Sequence, residues 1–238
     1  MVENQVKEIK DRESSDGKRI LTDYRAKIVS IILISFSLFE IWYNSYGIIP
    51  GVFKNAVHLG FLLVLTFLLF PARKKSPKDR FSWWDITLAL LGASVGLYIV
   101  FFYNDLHMVR GSIANTRDLF FAGLACVLVL LAARRTIGLL IPTLSVIFII
   151  YAKFGPYFPG LFGHAGLSWE RILYRMYLTY EGLFGITLTV SATYIFIFIL
   201  FGAFLKVSGA ANFFNDIALA AAGKRRGGPA QVAVLSSA

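Results

Sequence analysis

Residues 184–205 read FGITLTVSATYIFIFILFGAFL, twenty-two consecutive positions without a charged side chain. Wound as an α-helix at 1.5 Å per residue, such a stretch is about 33 Å long, enough to cross the roughly 30 Å hydrocarbon layer of a bilayer. In lipid every backbone N–H and C=O must find a partner inside the segment or in neighbouring protein, and a helix meets that demand within a single stretch. The same reading extends outward along the chain. Apolar runs recur at 28–46, 52–70, 84–103, 119–133 and 137–154.

The whole composition agrees with the local one. Of the 238 residues, 57% are apolar and 16% charged, with a mean hydropathy of +0.65, whereas soluble domains run at about 45–50% apolar. The expected fold is therefore an all-α membrane protein with about six transmembrane helices plus interfacial amphipathic helices. A net charge of +10 would suggest nucleic acid in a soluble protein. Here the Lys and Arg belong to cytoplasmic loops, so membrane lipid is the expected partner and nucleic acid is not.

The fourth run has only 15 residues and is parted from the fifth by little more than Arg134 and Arg135. As one helix, 119–154 would be about 54 Å long, too long for a single crossing, so a tight hairpin is expected at the arginine pair.

Counting Lys and Arg on alternate sides sets the orientation. One side takes seven in residues 1–27, then Arg73, Lys74, Lys75, Lys78 and Arg80, then Arg134 and Arg135, then Lys206, Lys224, Arg225 and Arg226. The other takes Lys54, Arg110, Arg117, Lys153, Arg171 and Arg175. The imbalance, 18 against 6, predicts a cytoplasmic amino terminus for a multi-pass membrane protein. Residues 1–27 form a polar cytoplasmic segment without the apolar centre and cleavage site of a signal peptide. The single cysteine, Cys126, lies in an apolar run and reads as a small packed hydrophobe.

Two stretches read as amphipathic helices rather than spans. From Ser168 onward, Trp169, Ile172, Leu173, Met176, Tyr177 and Tyr180 recur at helical spacing, placing the helix along the surface or against another helix. Gly155, Pro156, Pro159, Gly160 and Gly163 before it break any helix leaving the fifth span. The second stretch, 212–222, groups Phe213, Phe214 and Ile217. After Gly227, Gly228 and Pro229 a new apolar segment starts with Val232 and runs to Ala238, too short to span. It is expected to be re-entrant or the start of a longer segment.

Chemistry-bearing residues are few. Glu40 is the one acid well inside an expected span, and with Ser30, Ser37 and Asn44 it falls in an arc of about 80° at 100° per residue. That stripe should face protein or water. It reads either as a proton or cation relay or as a helix contact with Glu40 reaching the outer interface, and the lack of a second buried acid favours the contact. Gly92 and Gly96 form a GxxxG pair for close helix approach. Thr187, Thr189, Ser191 and Thr193 crowd one end of the sixth span, where hydroxyls line a path or bond back to helix carbonyls. His58, His107 and His164 stand near span ends or in loops as interface residues, at no metal-site spacing. Lys224, Arg225 and Arg226 read as a cytoplasmic anchor and then a lipid headgroup site. No residue set for an enzyme, a metal or a cofactor is visible.

In their order, Tyr46-Gly47-Ile48-Ile49-Pro50, Ala56-Val57-His58-Leu59-Gly60-Phe61, Phe154-Gly155-Pro156-Tyr157-Phe158-Pro159-Gly160, Glu181-Gly182-Leu183-Phe184-Gly185-Ile186 and Val190-Ser191-Ala192-Thr193 resemble the fused permeases of TRAP transporters, particularly the TAXI type. Phe201-Gly202-Ala203-Phe204-Leu205, Ser208-Gly209-Ala210 and Arg226-Gly227-Gly228-Pro229-Ala230 continue the resemblance. It implies a four-helix module at 28–133 like the small membrane subunit, and at 134–238 a linking helix with the truncated start of the large one. It further implies an extracytoplasmic solute-binding protein and the remainder of the large membrane subunit as partners, organic acids as solutes, and coupling to Na+ or H+ by an elevator mechanism without ATP. Where such permeases often carry a Pro-Leu-Gly break, this chain has Thr187-Leu188-Thr189, which argues against a kink there. The Gly- and Ser-rich hairpin of the solute site would begin beyond Ala238, so the resemblance assigns no ligand-binding residue here. The rival reading is a stand-alone membrane scaffold or docking subunit without a solute path.

Overall fold

A computed structural model of the chain describes residues 18–19, 21–72, 79–110 and 113–222. The described residues are helical, without strands, and include six stretches long and apolar enough to cross a membrane. The chain divides into two compact units, one ending at Ala192 and one beginning at Thr193.

In the first unit, α1 (Asp23–Tyr46), α2 (Gly51–Leu69), α3 (Trp83–Asn104) and α4 (Thr116–Thr136) are followed by α5 (Leu140–Phe154). The centre is α2, whose apolar window is 61% buried against 11% for α1. Val52, Ala56, Leu63 and Phe67 on α2 are buried, as are Val95 and Ile99 on α3 and Ala122, Ala125 and Leu128 on α4. The close approach of α2 and α3 rests on glycine. A methyl group built on Gly96 would lie 2.7 Å from the Ala56 carbonyl oxygen and 3.0 Å from Gly60 Cα, and one on Gly92 would lie 2.7 Å from Leu63 Cβ. The GxxxG pair therefore packs helix on helix, as its spacing implied.

The hairpin forms, but not at the arginine pair. Helix α4 begins at Thr116 and continues through Arg134 and Arg135 to Thr136, making 21 residues. The basic residues sit in its last turn, where the helix dipole favours cations. The chain then reverses over Ile137, Gly138 and Leu139, with Gly138 at φ +89°, a conformation glycine adopts without cost. Pro142 lies in the first turn of α5, where its missing N–H costs nothing.

After α5, two single 3₁₀ turns at Gly155–Tyr157 and Gly160–Phe162 carry the chain to α6 (Trp169–Tyr177). Ser168 caps α6, its hydroxyl accepting from the Arg171 amide at 3.2 Å. Of the two placements the spacing allowed, the structure shows the packed one: α6 lies against α4, Ile172 and Tyr177 are buried, and the Tyr177 hydroxyl donates to the Val95 carbonyl at 2.5 Å. Burial pushes that phenol well above its ordinary pKa, so it remains a donor. Trp169 and Tyr180 stay exposed.

The sixth span is not one regular helix. It starts as the five-residue α7 (Ile186–Val190) and passes into a π-helical stretch, Ser191–Ile195. In the second unit it continues as α8 (Phe196–Val207), which has no buried residue. The unit turns at Gly209, φ +78°, into α9 (Ala210–Ala222). Phe213, Phe214 and Ile217 of α9 are exposed. The expectations for Arg73, Lys74, Lys75 and Lys78, for Lys224, Arg225 and Arg226, and for the segment 232–238 fall outside the described residues, as does residues 1–17 of the polar amino-terminal segment.

Candidate functional site

Among the described residues, three polar clusters are buried within the first unit. Two of them close its ends, and the third lies between α1, α2 and the start of the sixth span.

At one end, the last turn of α2 leaves carbonyls without intrahelical partners. The Arg19 amide donates to Leu69 O at 2.9 Å, and its Nη1 donates to Leu68 O at 2.9 Å and Phe67 O at 3.4 Å. Arg135 Nη1 donates to Phe70 O at 3.0 Å. Both guanidinium groups also hold Asp85, Arg19 through Oδ2 and Arg135 through Oδ1 at 2.7 Å. Asp85 is 1% exposed. Two cations thus share one carboxylate and the negative end of α2.

At the opposite end, Asp118 in the first turn of α4 is fully buried. It accepts from Arg110 Nη1 at 2.6 Å, from the Asn115 amide at 2.6 Å and from the Tyr98 hydroxyl. Arg110 Nε also donates to Asp105 at 2.9 Å. The Asp118 hydrogen bond raises the Arg110 pKa further, with Asp105 adding to it, so this clasp keeps its charge.

The third cluster is the candidate site. Glu40 is 0% exposed and His58 is 3% exposed. His58 Nδ1 lies 2.8 Å from Glu40 Oε1, and Nε2 lies 3.3 Å from Ser191 Oγ. A neutral imidazole with its proton on Nδ1 satisfies both neighbours, donating to the carboxylate and accepting from the hydroxyl. One turn along α1, Asn44 Nδ2 donates to Ala192 O at 3.0 Å and to its own helix at Glu40 O. Its Oδ1 accepts from Lys54 Nζ at 2.8 Å. Lys54 is 2% exposed and rests 4.4 Å from the centre of the Tyr43 ring. Beside it, Asn55 Nδ2 donates to Phe184 O at 2.9 Å and Thr189 Oγ1 at 2.7 Å, while its buried Oδ1 accepts no hydrogen bond among the described residues.

With Glu40 ionised, Lys54 charged and His58 neutral, the formal charges cancel, which is the arrangement a low-dielectric interior tolerates. The row carboxylate, imidazole, hydroxyl has the order of a nucleophile-activating triad. Here the carboxylate and imidazole are sealed from solvent, so the row fixes Ser191 in place.

Several sequence expectations change. Glu40 makes a helix contact, through His58 of α2, and is fully buried. His58 is a buried residue of α2, partnered by Glu40 and Ser191. Lys54, counted on the outer side, sits in the first turn of α2 with its amine turned inward. Glu40 is not alone among buried acids, since Asp85 and Asp118 are buried at helix ends. The polar stripe of α1 divides: Asn44 joins the cluster, while Ser30 is exposed. Thr189 and Ser191 join it, Thr187 is exposed, and Thr193 belongs to the second unit. His164 remains a loop residue, its Nε2 3.1 Å from Tyr151 O, and the His107 side chain is outside the described residues. The helix runs without a kink through Thr187-Leu188-Thr189, and its winding widens to π after them at Ser191. Asn55 carried no expectation. Its signal was the placement of Lys54, Asn55 and His58 in the first two turns of a lipid-soluble helix, where polar groups must find partners. No group of three or more acidic, His or Cys side chains suited to a metal occurs among the described residues.

Residues 124–238 match the family described as Tripartite ATP-independent periplasmic transporter, DctM component. No curated protein and no solved structure matches the chain. The matched stretch begins within α4 and contains the sixth span, including Thr189, Ser191 and Ala192. The match supports a permease component of a TRAP transporter, which is a transporter and not an enzyme family.

Proposed function

We propose that the chain is a membrane permease component of a binding-protein-dependent, ion-coupled secondary transporter of the TRAP class, with organic acids as its solutes. The observation that carries the reading is the match of residues 124–238 to the DctM component, on a multi-pass helical protein with six membrane-length stretches.

In this reading residues 28–133 form a module like the small membrane subunit, joined to a large-subunit portion at 134–238 of the TAXI type. An extracytoplasmic solute-binding protein delivers the solute, Na+ or H+ supplies the driving force, and the amino terminus faces the cytoplasm of the inner membrane. Deleting the gene should reduce uptake of a labelled carboxylate captured by the cognate binding protein to background, and the restored gene should return it. Undiminished uptake in the deletion strain overturns the reading. So does uptake that follows the ATP level rather than the ion gradient.

A further inference from the structure

We propose that the hollow between α1, α2 and α3 binds one anionic phospholipid, with an acyl chain lying in the hollow and the phosphate held at its mouth by Arg25. Ile32 of α1, Phe61 and Val64 of α2 and Leu97 of α3 form the walls, and Gly60 and Gly96 put bare backbone on the floor. The hollow measures about 250 Å³, more than the roughly 150 Å³ cavity that takes up benzene. Its lining is apolar, and an open gap in a hydrocarbon layer forfeits the dispersion contacts that an acyl chain supplies.

Depth points to a chain from one leaflet. Trp83 and Trp84 at the start of α3 are exposed, and tryptophan at a span end marks the headgroup level. The same level is reached by the end of α2, because Arg135 bonds both Phe70 O and Asp85 in the first turn of α3. At 1.5 Å per residue, Val64 lies about 8 Å in from Leu69, and Gly96 about 20 Å in from Trp83. One leaflet contributes about 15 Å of hydrocarbon. The hollow therefore opens inside that leaflet and ends just past the midplane, within reach of one acyl chain descending from the Trp83 end.

Charge points to the headgroup. On α1, Arg25 stands seven residues before Ile32, about 10 Å nearer the span end and within about 20° of the same face at 100° per residue. Arg25 Nη1 donates to the Asp79 carbonyl at 2.8 Å, which brings the α2–α3 loop, with exposed Arg80, to the mouth. Lys27 lies about 140° and Asp23 about 180° from Ile32 around α1, so neither faces the hollow. Arg25 and Arg80 against Asp79 leave the mouth net positive. Guanidinium groups above an apolar slot fit a phosphate whose charge no choline offsets.

The test does not depend on transport. The full chain in detergent micelles is titrated with phosphatidylglycerol and, separately, with phosphatidylcholine of the same acyl chains, and the affinity of the first adduct is read by native mass spectrometry. Phosphatidylglycerol should bind at least about fivefold more tightly. Arg25→Gln should lose about fivefold for phosphatidylglycerol alone, since one basic residue is worth that much at an anionic headgroup, and Lys27→Gln should lose none. Ala93→Leu, which fills the hollow, should weaken both lipids. Equal affinity for the two lipids overturns the proposal. So does an equal loss in Lys27→Gln and Arg25→Gln, which marks general charge attraction, and so does wild-type binding in Ala93→Leu. Should Ala93→Leu fail to fold, Leu97→Trp at the exposed rim takes its place with the same outcomes. A dimer that the filled variant loses, with no lipid adduct in the wild type, assigns the hollow to a second copy of the chain and overturns the proposal as well.

Discussion

Lys54 and Glu40 have opposite charges, and neither meets solvent. They make no direct ion pair, since Glu40 bonds His58 and Lys54 bonds Asn44, but each lowers the cost of burying the other, and an uncompensated buried charge costs about 3–5 kcal/mol. Glu40→Ala should therefore destabilise the chain by about 3 kcal/mol or more, and adding Lys54→Met should recover part of the loss rather than deepen it. Reversible unfolding in mixed micelles measures both. Additive losses would mean that the two charges do not compensate one another. The polar character of Glu40, Asn44, Thr189 and Ser191 was legible along the chain, because each interrupts an apolar run. Their meeting was not. Glu40 and His58 are 18 residues apart and His58 and Ser191 are 133 apart, and hydropathy reports the solvent around a helix rather than which helix stands beside it.

At the scale of the elements, the glycines of α2 and α3 differ from that of α4. A side chain at Gly96 would strike backbone atoms of α2, while one at Gly123 meets nothing within 4 Å. Gly96→Ala should cost about 1–3 kcal/mol by forcing the helices apart. Gly123→Ala should be neutral or gain up to about 1 kcal/mol, from the helical preference of alanine over glycine. Equal effects in the same unfolding assay would show that α2 and α3 do not approach as closely as described. The clasp at the end of α2 is the second test. Asp85→Ala leaves two buried guanidinium groups without their carboxylate and should cost about 3–5 kcal/mol. Removing exposed Arg80 should stay within about 0.5 kcal/mol. Span existence was legible from apolar runs, yet their ends shifted. The fourth run of 15 residues became a 21-residue helix because Asp118, Arg134 and Arg135 find partners or dipole ends within it. A hydropathy window reads those residues as boundaries.

For the molecule as a whole, orientation is a matter of which ends face the cell interior. The Gly- and Pro-rich turns between α5 and α6 expose Leu161 fully, and the charge imbalance of the loops predicts that this stretch faces outward. In intact cells a membrane-impermeant maleimide should label Leu161→Cys and leave Arg80→Cys unlabelled until the membrane is opened, with Cys126 replaced by Ala. The reverse pattern would invert the topology and the proposed docking side of the binding protein. The charge imbalance was legible from the sequence because it depends on counts alone, whereas the packing of α6 against α4 depends on which helices stand side by side.

The arginine clasp also has a temporal side. Arg19 and Asp85 are 66 residues apart, and Asp85 and Arg135 a further 50. A ribosome delivers these groups in that order, so the nascent chain holds Arg19 ready well before its carboxylate emerges. The full trio closes only after the fourth crossing has been translated. Until then the newly made hairpins lack the fastening that joins the beginning of the polypeptide to its middle.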